Sequence, residues 1–198
     1  LGLSLATFLL NVVCVYTIEH TEQVPRAVNL ILNSAYFLAT VLTCSVIVLY
    51  LCYLILEHVY DKRHLRWASL CISGATLGYL LLVLWNLSSG VLFSFDPAGN
   101  YRRGPLNRIG YALMAAELLL LAVCYVQNRA SVNRPMVKLM HMLPPLAIFL
   151  TAFQLAYPQI LLNGMMMAMA DLILFISFQS SRIETDGLTG IGNRNSFF

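Results

Sequence analysis

Residues 28–56 read VNLILNSAYFLATVLTCSVIVLYLCYLIL, a run without a single Lys, Arg, Asp or Glu. A helix crosses the hydrocarbon of a bilayer with about 20 mostly apolar residues, each rising 1.5 Å. This run exceeds that need, so its composition decides the fold: it is a helix of a membrane bundle. Five further windows, 1–18, 67–87, 109–126, 139–157 and 160–178, have the same character. Together the six windows contain two carboxylates, Glu117 and Asp171, and no Lys or Arg. All 12 Lys and Arg stand in connections or in the tail. The expected fold is an all-α polytopic membrane helix bundle with six spans.

The whole chain agrees. Of 198 residues, 59% are apolar and 11% charged, with a mean hydropathy of +0.74. A soluble domain carries about a quarter charged residues, and a disordered chain combines low hydrophobicity with high net charge. The net charge of +3 is dispersed, which excludes the basic stripe of a nucleic-acid surface. Cys14, Cys44, Cys52, Cys71 and Cys124 lie inside apolar stretches without CxxC spacing, the pattern of free thiols acting as small hydrophobes, with no metal site. The chain opens on Leu1, and 1–18 lacks both a basic flank and a small-residue cleavage site, so a signal peptide is not expected. It reads as the first span of a fragment whose parent has a seventh span upstream. No internal repeat is visible.

Short links favour antiparallel neighbours, and basic residues beside the spans set orientation. Lys62, Arg63, Arg66, Arg129, Arg134, Lys138, Arg182 and Arg194 fall on one side; Arg26, Arg102, Arg103 and Arg108 fall on the other. The richer side is expected to be cytoplasmic, with the C-terminus inside. Tyr60, Trp67, Tyr101 and Tyr157 stand near span ends as interfacial anchors, and Pro144-Pro145 should kink the fifth span.

The long third connection contains Asp96-Pro97-Ala98-Gly99, with Asp, Pro and Gly at the positions that favour a type I turn. The β-prone run 91–95 precedes it and 100–103 can pair back, giving a small outer β-hairpin. That hairpin is either a lid over an outward-facing pocket, with Arg102 and Arg103 facing an anionic group, or a cap whose arginines reach lipid phosphates. Glu117 and Asp171 sit mid-span without a cation in any span. A buried carboxylate there needs hydroxyls, amides or water, or a proton of its own. The polar neighbours on offer are Asn11, Asn33, Asn86, His141, Gln154 and Asn163. The two acids are either a ligand or proton site or interhelical hydrogen-bond locks. The run 164–170, rich in Met, Ala and Gly, is either an adaptable wall or helix packing.

After residue 178 the composition changes abruptly. The run Asp186-x-Leu188-Thr189-Gly190-Ile191-x-Asn193-Arg194-x-x-Phe197 resembles the D-x-L-T-G-L-x-N-R-x-x-F segment that opens the GGDEF, or diguanylate cyclase, domain, with Ile191 in place of the usual Leu. A motif is a hypothesis that its context must support, and here it directly follows the last span. The stretch from Asn86 to Pro105 is similar, more loosely, to seven-span sensory regions that precede such modules in bacteria, which makes Asn86, Arg102, Arg103, Glu117 and Asp171 the candidate sensing residues.

The resemblance implies three parts: a sensory bundle at 1–178, a helical linker at 179–185, and the start of a truncated α/β GGDEF domain at 186–198. Asp186, Leu188, Thr189, Gly190, Asn193 and Arg194 would form the domain's entry motif. In that family GTP and Mg are held farther along, so this chain carries no catalytic residues and no cofactor of its own. The resemblance further implies a homodimer in the inner membrane of a bacterium, answering a small-molecule stimulus and controlling synthesis of cyclic di-GMP from two GTP. Two other functions compete. One is a receptor with a degenerate GGDEF domain; the other is a small-solute or ion transporter that uses Glu117 and Asp171 as coupling sites.

Overall fold

The computed structural model describes residues 2–56, 63–132, 134–157 and 163–183. Six helices follow in order: α1 (Gly2–Glu19), α2 (Arg26–Leu56), α3 (Arg63–Ser89), α4 (Ile109–Asn128), α5 (Arg134–Ala156) and α6 (Asn163–Ile183). A two-stranded antiparallel hairpin, β1 (Phe93–Phe95) and β2 (Tyr101–Arg103), interrupts them after α3. Helix α2 packs against α1, α3 and α4, while α6 is wedged against α1 and α5. Close approach explains the last contact. A Cβ on Gly164 would sit 2.8 Å from the Phe8 ring, so α6 reaches α1 only because that residue is glycine. Thr151 on α5 lies 3.9 Å from the Met166 sulfur on α6. The described part of the 164–170 run is thus a packing face.

Helices α1 to α5 are long and apolar enough to cross a membrane. The sixth expected span corresponds to α6, which is helical for 21 residues but is not among those five. Its described length begins at Asn163 and includes Asp171, Gln179 and Ser180, which lower its apolar content, while the apolar residues 160–162 lie outside the described positions. The helices also run past the expected windows. Helix α2 has 31 residues, about 46 Å at 1.5 Å each, against a hydrocarbon thickness of about 30 Å. Helix α3 takes in Arg63, His64 and Arg66, since long basic side chains can lie along a helix and still reach water. Helix α5 continues through Pro144 and Pro145 as one element.

The interior holds many polar side chains beside its apolar ones, while large apolar side chains cover much of the outside. Thr7, Asn11, Asn29, Asn33, Ser45, Asn86 and Glu117 are buried, while Leu5, Leu70, Leu81, Leu119 and Val126 are exposed. Lipid is as apolar as leucine, so polar groups turn inward to find partners and aliphatic side chains face out. Interhelical hydrogen bonds follow: Thr7 and Thr43 hydroxyls meet at 2.9 Å, and Asn29 donates to the Thr17 carbonyl at 3.1 Å. Two apolar clusters remain. One gathers Val48, Leu51, Ile55, Ile72, Leu121, Leu139 and Leu174; the other gathers Val41, Tyr79, Val83, Leu92, Phe93 and Phe95 beneath the hairpin.

Candidate functional site

The hairpin is built by its turn and by one asparagine. Gly99 N–H donates to the Asp96 carbonyl at 2.9 Å, closing the turn that the Asp-Pro-Ala-Gly order predicts. The Asp96 carboxylate accepts from the backbone N–H groups of Asn100 (2.9 Å) and Ala98 (3.0 Å), from the Asn100 amide, and from Arg102 at 3.3 Å. Those donors, the Asn100 N–H foremost, hold its pKa below the usual carboxylate range. At the base, Asn86 accepts from the N–H groups of Leu92 (2.7 Å) and Phe93 (3.2 Å). Gly90 makes the reversal between them with φ +66, a conformation open to glycine at little cost. A Cβ on Gly104 would strike the Val91 carbonyl, so the returning strand can lie that close only without a side chain. Strand β1 is thereby driven into the bundle, with Phe93 and Phe95 fully buried.

Beneath this roof lies a cavity of about 360 Å³, within the range of small-molecule sites. Its walls are aromatic: Tyr36 and Phe37 from α2, Tyr79 from α3, Tyr101 from β2 and Tyr111 from α4. Phe93 orders part of that wall, stacking on Tyr101 at 5.7 Å and meeting Phe37 at 5.0 Å. Burial pushes the Tyr101 phenol up from its ordinary value, and Asn107 donates to it at 3.2 Å. Amides come from Asn11, Asn33 and Gln154, and charge from Arg103, Arg108 and Glu19. No histidine lines the cavity beside Cys14 among the described residues. The arrangement is suited to binding a small molecule.

The structure separates several residues expected to act together. Arg102 and Arg103 are neighbours in β2, where successive side chains point to opposite faces. Both are exposed, but Arg103 lines the cavity, whereas Arg102 pairs with Asp96. Asn86 does not line the cavity; it anchors the hairpin. Asn11, Asn33 and Gln154, offered by the sequence as partners for the buried acids, line the cavity instead. Tyr101 is a wall residue, not an anchor at a span end, while Trp67 and Tyr157 are exposed and Tyr60 lies outside the described residues. The signal for the cavity was present in the spacing: Ser4, Thr7, Asn11 and Cys14 recur every three or four residues on α1 and are all buried, a polar stripe that marks the inward face of a membrane helix.

Glu117 is met by hydroxyls. Ser45 on α2 donates to its Oε1 at 2.7 Å, and Thr76 on α3 donates to the Ser45 oxygen at 2.8 Å. Three helices are joined in this way, one turn from Met114 in the cavity lining. Glu117 Oε2 is buried without a partner among the described residues. Asp171 is half-buried on α6, and neither acid lines the cavity. Helix α6 carries the linker as far as Ile183. The motif residues Asp186, Leu188, Thr189, Gly190, Asn193 and Arg194 lie outside the described residues. Comparison with protein-family models, with curated proteins and with solved structures gives no match.

Proposed function

We propose that this chain is the membrane sensory part of a diguanylate cyclase, receiving a small molecule at the hairpin end and passing the change to a cytoplasmic GGDEF domain begun at 186–198. The observation that carries the reading is the roofed cavity, to which five helices and the hairpin contribute side chains. A ligand touching so many elements biases their relative positions by its differential affinity for the arrangements they adopt. Helix α5 supplies Gln154 and Leu155 to the cavity and packs on α6, which runs without interruption to Ile183, close before Asp186. Helix α6 would be the sixth span, placing the tail in the cytoplasm of a bacterium and the hairpin outside the inner membrane. Cyclases of the family resembled act as pairs, so a homodimer is part of the proposal. GTP and Mg belong to residues beyond 198, and none in this chain is assigned to them.

The test is cyclic di-GMP formation from GTP and magnesium by membranes carrying the full natural reading frame, beside the same protein ending at Phe198. Turnover by the longer protein alone supports the reading. Absence of turnover from both removes the cyclase and leaves a receptor with a degenerate domain.

A further inference from the structure

We propose that the cavity beneath the hairpin binds a small aromatic carboxylate carrying a polar group at its far end. This ligand class rests on the reading of the cavity as a sensory site, and it is argued from three features of the lining. The charged groups are Arg103, Arg108 and Glu19, an excess of one positive charge. Neither arginine has a carboxylate partner among the described residues, whereas Arg102, on the opposite face of β2, is already paired with Asp96. Arg108 is the N-cap residue of α4, so the positive end of that helix adds to the field. An unpaired guanidinium fork suits a planar carboxylate.

The walls are five aromatic rings, which select a flat apolar body. The far end is set by Asn11. The residue is 5% exposed and lines the cavity. Its amide can both donate and accept, and a hydroxyl or amide on the ligand would meet it.

Binding is measured by calorimetry on the full natural protein in nanodiscs of zwitterionic lipid, with probes that share one scaffold. They are 3-(4-hydroxyphenyl)propanoate, its primary amide, tyramine, and 3-phenylpropanoate. The acid should bind at least about tenfold more tightly than the amide or the amine. R103Q should erase that margin while R102Q, outside the cavity, keeps it. N11A should erase the preference for the phenol over 3-phenylpropanoate and keep the preference for the acid. Equal binding of acid and amide, equal losses in R102Q and R103Q, or no binding of any probe at about 10 mM overturns the proposal. Turnover that persists in a protein binding none of the probes overturns the ligand class and spares the sensory reading. Binding by a protein that never makes cyclic di-GMP does the reverse.

Discussion

The two ends of the bundle are built from the same helices and do opposite things with them. Away from the hairpin, Leu51, Ile55, Ile72, Leu121, Leu139 and Leu174 interlock as an aliphatic core. At the hairpin end the same α2, α3 and α4 present Asn33, Tyr36, Tyr79 and Tyr111 around a cavity. The boundary is the Ser45–Thr76–Glu117 chain, which lies between Val41 and Val48 on α2 and between Met114 and Leu121 on α4. Close packing tolerates little volume change, whereas a cavity lined by polar and aromatic groups can accept a ligand and respond to it. The division lets one end hold the helices together while the other adjusts, and each half can be tested separately.

The largest effect is expected in the aliphatic half. Leu51 is fully buried there, and L51A should cost about 2–5 kcal/mol, since a cavity opens where the surroundings cannot collapse. Thermal unfolding in detergent should show the loss in the whole bundle. A variant that unfolds like the unsubstituted chain would mean that this half is not the one holding the helices together.

A smaller and more local effect is expected from N86A. It leaves the buried N–H groups of Leu92 and Phe93 without their acceptor, at about 1–3 kcal/mol for an orphaned donor. Hydrogen exchange should speed up at 90–107 and stay slow around Leu121 and Leu139. Exchange rising equally at both ends would erase the distinction between the halves.

Much of this division was legible in the sequence, and the rest depended on information that pattern alone does not carry. The helices of the bundle were readable because hydrocarbon thickness imposes a length, and the hairpin because Asp96, Pro97 and Gly99 meet the backbone demands of one turn. The split between Arg102 and Arg103 follows from strand alternation once β2 is granted. The role of Asn86 does not, because its acceptor meets Leu92 and Phe93 only after the reversal at Gly90. The partners of Glu117 were obscured for a different reason. The single hydroxyl protons of Ser45 and Thr76 also have an acceptor within reach in their own helices, the Val41 and Ile72 carbonyls, so their sequence context gives no sign that they face a carboxylate on a third helix.

The smallest expected effect is confined to the tip of the hairpin, and its sign can be worked out. Asp96 is held below the ordinary carboxylate pKa chiefly by the Asn100 N–H. A group whose pKa is lower in the folded state stabilises that state fully above its unfolded value and loses the contribution as pH falls through the folded one. The turn should therefore be unchanged from neutral pH down to about 4 and loosen only in stronger acid. Amide NMR shifts of Ala98 and Asn100 report it directly, since both N–H groups donate to the carboxylate. D96N, which keeps the shape and removes the charge, should flatten their acid response while leaving the cavity beneath Phe93 in place, because Asn86 and Gly104 hold the base of the hairpin independently of its tip. If those amides shift between pH 5 and 7, or if acid loosens the base before the tip, the hairpin is one cooperative unit with the cavity, and its turn cannot be adjusted apart from the site it roofs.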